Sequence, residues 1–420
     1  MLAKQMIFLV GPEAQKFFFT SDKYLDQAKM YAFTIPIFGP KVLYDVDFNT
    51  RACQLHFIRE RLTDECLRFY VATLEKEVVQ YFEECWRQDS GVMDISKAMI
   101  ECLSRTSVAC LMGAELRRML HKGAKDGQSI YELLHALEEG MLPLSVFMPS
   151  APIPRHRKRD KARRLLHELL EPVLQERRLR TDGKEDDFLQ KVLNGTYPDG
   201  RPITDEEVVG FLIAAFFGGM HNSAITSSWS ILEIFSRPNV VAEMAEEQRE
   251  VLGAGDGSFT FEAYEKMRKL RSAVHETLRC HPPLMLLMRT VEQDVKFKEY
   301  RVPRGSVVGV SPNVGGMLPE VFPNPKVWDP TRFINGIHDE FAFIPFGGGR
   351  RVCKGQEFGM LQVMAVVSHL LRNFDLETLD GVTEPTIGEG MVISPSKPCR
   401  VSYKRKAAAK KHRKSDSEAC

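Results

Sequence analysis

The chain has 420 residues, a formal net charge of +1 at pH 7, and 44% hydrophobic against 27% charged residues. A charge balance this close to neutral gives no electrostatic reason to bind nucleic acid, and no nucleic-acid partner is expected. The nine cysteines are scattered without a C-x-x-C pair, which argues against a zinc site or a disulfide framework and for reducing surroundings.

In chain order, the apolar run Met6 to Val10 is far too short to cross a bilayer, which takes about 20 residues, and predicts a short strand. Gly11-Pro12 turns it into a helix over Glu13–Thr20. A helix from Ser21 gives way to a non-periodic run rich in Pro, Gly and aromatics, Tyr31 to Asp45, which predicts an ordered loop lining something apolar. Helical patterns then run with few breaks from Asn49 to about Gly140. Four prolines between Gly140 and Pro154 exclude a continuous helix there. The basic cluster Arg155-His156-Arg157-Lys158-Arg159 follows and opens another helix. This pairing of an apolar loop with cations suits an anionic membrane surface, and equally a loop leading into a solvated helix start.

Thr204-Asp205-Glu206-Glu207 reads as a capping box, opening a helix of about 32 residues, roughly 48 Å, that continues to Ser236. Its middle, Val208 to Met220, is apolar on all sides, so it belongs in the interior. Gly218-Gly219 costs it about 1 kcal/mol per residue relative to Ala, which predicts that something flat approaches the backbone there. Farther on, Glu276 and Arg279 share a helix face that Pro282-Pro283 ends, and Leu284 to Arg289 reads as extended. Trp328-Asp329-Pro330-Thr331-Arg332-Phe333 then precedes a stretch where one cysteine is enclosed by glycines and arginines: Phe346-Gly347-Gly348-Gly349-Arg350-Arg351-Val352-Cys353-Lys354-Gly355. The glycines are expected to let a metal and backbone N–H donors come close to the sulfur. An apolar helix pattern follows (Met360 to Leu371), then short strands at Asp375–Thr378 and Met391–Ser394. The basic run from Lys404 predicts a disordered tail over 404–420.

The spacing F-x-x-G-x-R-x-C-x-G resembles the haem-binding signature of the cytochrome P-450 (haem-thiolate monooxygenase) superfamily, where a Cys thiolate is the proximal ligand of the iron. Glu276, Arg279 and Arg332 stand in the order of that superfamily's buried ion-pair triad. The loop Y-x-F-x-x-P-x-F-G-P-x-V-x-Y-D (Tyr31–Asp45) narrows the resemblance to sterol 14α-demethylases. Gly140–Arg163, Glu276–Arg289 and Leu361–Glu377 are similar to the plant and algal type that acts on obtusifoliol. The resemblance implies a mainly α fold with a small β region, one domain over 1–403. Its cofactor would be haem b with Cys353 as axial ligand to the iron. Phe346 would stand beside it, and Arg351, Arg289, Tyr31 and Tyr44 would hold the propionates. Phe33, Phe38, Phe217, Leu287 and Met391 would shape the sterol pocket, with Phe33 filling the space of a second C4 methyl.

His221 would deliver protons, linked to Glu138. The implied partners are a sterol, O2, NADPH-cytochrome P-450 reductase and a membrane surface, on the cytosolic face of the endoplasmic reticulum. Three departures stand out. Asn222 replaces the threonine whose hydroxyl serves oxygen activation in the family, leaving Ser223 as the nearest hydroxyl in sequence. Arg351 stands where family members usually carry His. The anchor helix and first strands that precede Met6–Val10 in the family are missing. Two other readings stay open: a monooxygenase of another lipophilic substrate, and a haem-binding protein with impaired oxygen activation.

Overall fold

The computed structural model describes residues 5–121, 128–179, 187–253, 257–336, 339–387 and 392–407. The helix Asp205–Phe235 runs through the centre, and nearly all of its residues are buried. Its start is the capping box read from sequence. The Thr204 hydroxyl accepts from the Glu207 N–H, and the Glu207 carboxylate accepts from the Thr204 N–H at 2.9 Å. Among the described residues this is the one helix long and apolar enough to cross a membrane, and it is instead the core about which the others pack. Ile95–Ser107 and Gln356–Asn373 lie against it. Gly219 permits close packing of the helical turn Val108–Met112 that follows the first of these, since a Cβ there would come 3.0 Å from Leu111.

Beside the helical body lies a four-stranded sheet in the spatial order Met6–Phe8, Val307–Val310, Leu287–Val291, Leu25–Asp26. The first pair is parallel and the others antiparallel, with Arg289 opposite Val308. Around it gathers a second, smaller apolar cluster that includes Phe18, Phe19, Val308 and Ile344.

Four expectations are corrected. Ser90–Asp94 is a strand inside the stretch read as helical, paired with Arg400–Arg405, which also pairs with Phe374–Thr378. That partner lies some 300 residues along the chain, and such distant pairing overrides local pattern. Tyr31–Asp45 is not simple loop but a series of helical turns, Ala32–Thr34, Ile35–Phe38 and Leu43–Asp45. Pro36 fits there because it occupies a first turn, where its missing N–H costs nothing. The fold does not stop at residue 403. Arg405 is buried, donating to Glu83 at 2.6 Å and to the Trp86 carbonyl at 3.0 Å, with its guanidinium over the Phe374 ring. Residues 408–420 lie outside the described residues.

The basic cluster is also split by helix geometry. His156 and Arg159 turn inward, His156 meeting the Ser145 hydroxyl at 2.9 Å, while Arg155, Arg157 and Lys158 stay exposed.

Candidate active site

The stretch around Cys353 is a reversed turn tied across its neck, where the Cys353 N–H donates to the Phe346 carbonyl at 2.9 Å. Gly347 and Gly349 adopt positive φ of 75° and 61°. Two of the glycines also serve the protein's own packing. A Cβ at Gly349 would lie 2.7 Å from the Phe19 carbonyl oxygen, and one at Gly348 would lie 3.0 Å from the Phe19 ring. These glycines make room for the helix Pro12–Thr20, so the close approach they allow is by protein. Cys353 is exposed only in that its sulfur looks into a cavity; protein closes over its other sides. Burial pushes the thiol up, and the Gly355 N–H and the charge of Lys354 partly offset this.

The cavity has a volume of about 310 Å³. Cys353 and Phe346 form one wall, and Gly218, Asn222, Ser223 and Thr226 of the central helix contribute another. A Cβ on Gly218 would meet nothing within 4 Å, so here the helix backbone does face open space, as the paired glycines imply. Leu287 lines a third side with Leu284.

Tyr31, Tyr44, Arg289 and Arg351 edge the cavity. The two phenol rings stack at 5.1 Å, and burial raises both hydroxyls, so they remain protonated donors. Arg289 comes from the strand Leu287–Val291; burial and the charge of Arg351 lower it to about 10, still cationic near neutrality. Burial lowers Arg351 as well. Nη1 of Arg351 and Nη1 of Arg51 are buried without an acceptor among the described residues. Unpaired buried donors are costly, and an anionic group at this edge would satisfy them.

His221 and Glu138 lie outside the cavity lining. The buried carboxylate of Glu138, on the helix Ile130–Glu139, makes ion-pair contact with His221 Nδ1 and lies 3.4 Å from His135 Nδ1. Burial alone would raise the Glu138 carboxyl, but the charge of His221 and the hydrogen bond from His135 outweigh it and hold the carboxyl at about 2. A carboxyl depressed below its ordinary value of 4.5 stabilises the fold above that pH, and the gain is lost as pH falls toward about 2. Glu138→Gln is therefore expected to flatten the fall in unfolding free energy across that window, as followed by denaturant titration at each pH.

Three of the expected pocket residues stand off the wall. Phe33 is half-buried, its ring 6.2 Å from that of Tyr31. Phe38 packs on the core, and Phe217 is buried 5.8 Å from Phe216. Met391 lies outside the described residues. Beyond the cavity, Glu276 is fully buried and accepts from Arg279 Nε and Nη2, both at 2.7 Å, and from Arg332 Nε at 3.2 Å. Sequence reasoning passed over Arg51, Asp22 and Phe19. The run Phe17-Phe18-Phe19 was a visible signal for the last, whereas nothing marked the two charges.

A cavity-facing thiol, an open helix backbone opposite it and an arginine–tyrosine edge with unfilled donors together fit a planar iron porphyrin with two carboxylates. The family model for Cytochrome P450 matches residues 1–403. The chain belongs to the cytochrome P450 family. The family implies a haem cofactor with a cysteine thiolate ligand and haem-thiolate monooxygenase activity. Among curated P450 relatives, obtusifoliol 14-alpha demethylase of Triticum aestivum is 36% identical over 96% of this chain and 90% of its own length. Sterol 14-demethylase of Arabidopsis thaliana is 36% identical over 96% of this chain and 83% of its own. A sterol 14alpha-demethylase of Mycolicibacterium vanbaalenii is 34% identical over 96% and 89%. A solved P450, retinoic acid-bound cyanobacterial CYP120A1, superimposes with a TM-score of 0.84, covering 97% of this chain and 90% of that one; at 22% identity it speaks for the fold alone.

Proposed function

We propose that this P450 is a sterol 14α-demethylase acting on an obtusifoliol-like precursor. The observation that carries the reading is a thiol-lined, largely apolar cavity in a chain 36% identical along 96% of its length to an obtusifoliol 14-alpha demethylase. Haem b, when bound, supplies the oxidising chemistry: O2 and NADPH-derived electrons convert the 14α-methyl group to formate in three oxidations, leaving a C14–C15 double bond. The protein's part is done by its own side chains. Cys353 would hold the iron as a thiolate, since a metal-bound thiol is deprotonated outright despite the burial that otherwise raises it. Arg289, Arg351, Tyr31 and Tyr44 would hold the propionates. Leu284 and Leu287 present apolar surface to the sterol. His221 on the central helix, paired with Glu138, would deliver protons.

Electrons would come from NADPH-cytochrome P-450 reductase at the cytosolic face of the endoplasmic reticulum. Exposed Leu144, Phe147 and Met148 beside Arg155, Arg157 and Lys158 support contact with a membrane surface. Turnover with obtusifoliol and with lanosterol, read by mass spectrometry, tests the substrate; no 14-demethylated product from either would sink the proposal.

A second reading, haem binding with weak oxygen activation, is favoured by Asn222. It lines the cavity, its Oδ1 is buried without a donor among the described residues, and its carbonyl accepts from the Thr226 hydroxyl at 2.8 Å. An amide does not relay a proton as a hydroxyl does. Asn222→Thr is expected to raise turnover per electron consumed, by up to about a hundredfold if proton relay is limiting. The ratio of product formed to NADPH oxidised is the measurement; an unchanged ratio would assign that role to Ser223.

A further inference from the structure

Two guanidinium groups, Arg289 and Arg351, stand at the cavity edge, a third, Arg51, shares Asp26 with Arg351, and each leans on an aspartate of one short segment. Arg289 Nη1 lies 3.2 Å and Arg351 Nε 3.1 Å from the same oxygen, Asp22 Oδ1. Arg51 Nη2 lies 3.4 Å from Asp26 Oδ1, with Arg351 Nη2 4.0 Å from that oxygen. Arg289 is further fixed by the Phe18 carbonyl, 2.5 Å away, and by the Phe18 ring beneath its guanidinium. The nitrogens that remain, Nη1 of Arg351 and Nη1 of Arg51, are the buried donors without acceptors. Each of these two arginines is therefore held from behind by a carboxylate while another of its nitrogens is left unfilled.

We propose that Asp22 is a positioning residue for carboxylate recognition at this edge. By accepting from Arg289 and standing in ion-pair contact with Arg351 through one oxygen, it offsets the repulsion between two neighbouring buried cations and fixes them as one fork. Asp26 does the same for Arg51. The inference rests on the reading that the cavity holds haem, whose propionates are the carboxylates received. Like-charged guanidinium groups in a site of reduced dielectric would otherwise splay apart, and a fixed fork loses less conformational freedom on binding than a mobile one. The opposite electrostatic effect is also defined. A carboxylate that acted only through its charge would repel the propionates, and removing it would tighten binding.

The test compares wild-type and Asp22→Ala holoproteins, each loaded with haem or with haem dimethyl ester, whose carboxylates are neutral. Release to an excess of acceptor globin is followed by absorbance. Asp22→Ala is expected to release haem at least tenfold faster than wild type and to release the dimethyl ester at the wild-type rate. Asp22→Asn, which keeps an acceptor oxygen at the same place, should fall between the two. Equal or slower haem release from Asp22→Ala overturns the proposal, as does an equal acceleration for haem and its ester, which would mark a general loosening of the fold. If Asp22→Ala does not fold, Asp22→Asn carries the same comparison. The carbon monoxide difference spectrum of the wild type reports separately on thiolate ligation, so failure of the haem-thiolate reading is distinguishable from failure of the positioning role.

Discussion

Replacing Cys353 with serine should abolish the carbon monoxide difference band at about 450 nm and reduce sterol turnover to background, while leaving the fold intact. The first two outcomes follow from chemistry. A serine hydroxyl does not ionise near neutral pH, so it offers the iron no anionic sulfur and no electron push toward O–O cleavage. The third follows from geometry. The Cys353 sulfur faces the cavity and fills no core space, and the bond that ties the turn uses the backbone N–H of residue 353, which serine retains. The expected change in unfolding free energy is within about 1 kcal/mol. A variant that kept the band would place the iron ligand elsewhere and undo the assignment of the site.

The second large effect is expected far from any chemistry. Glu276 is fully buried and serves four donors: Arg279 twice, Arg332 Nε, and the Asp329 N–H at 2.9 Å. Arg279 also donates from Nη1 to the carbonyls of Gly316 and Pro325, at 2.7 and 2.8 Å. The pair thus pins the segment from Pro325 to Arg332 to the helix Arg268–Cys280. Glu276→Gln leaves Arg279 as an uncompensated buried cation, and breaking one side of a buried pair costs about 3–5 kcal/mol. Against a total stability of about 5–15 kcal/mol, that is enough to give a largely unfolded or haem-free protein. Denaturant midpoints and haem content per chain measure it. Arg332→Ala should cost much less, since its side chain is partly exposed and Arg279 would still neutralise the carboxylate. A Glu276→Gln protein of wild-type stability would show that backbone contacts alone hold this region.

What sequence made legible and what it did not divide along physical lines. Features encoded within a few residues could be read directly. The capping box at Thr204, the chain end of a helix at Pro282-Pro283, and the turn around Cys353 each depend on neighbours in sequence. The ion-pair partners Glu276, Arg279 and Arg332 were legible through their order along the chain. The strand Ser90–Asp94 was not, because its reason for existing is a partner at Arg400–Arg405. Nor was the burial of Arg405, since a run of basic residues looks solvated until one finds Glu83 and Trp86 behind it. Phe33, Phe38 and Phe217 have the chemistry of a sterol pocket, yet side-chain placement is set by tertiary packing: Phe33 stands beside Tyr31, Phe38 packs on the core and Phe217 lies beside Phe216. The glycines beside Cys353 were noticed for a sound reason, but the group that crowds them is Phe19.

The pairing of Arg400–Arg405 between Ser90–Asp94 and Phe374–Thr378 bears on the timing of biosynthesis. The middle strand of that sheet is made last, about 300 residues after the first. At the usual ribosomal pace of about 5–20 residues per second, Ser90–Asp94 waits roughly 15–60 s for the partner that completes it. During that interval a nascent chain carries an unpaired strand whose hydrogen-bonding edge is open to capture. Chaperone occupancy of ribosome-bound chains should therefore fall only once residue 405 has cleared the exit tunnel, however early the helices around Asp205–Phe235 have formed.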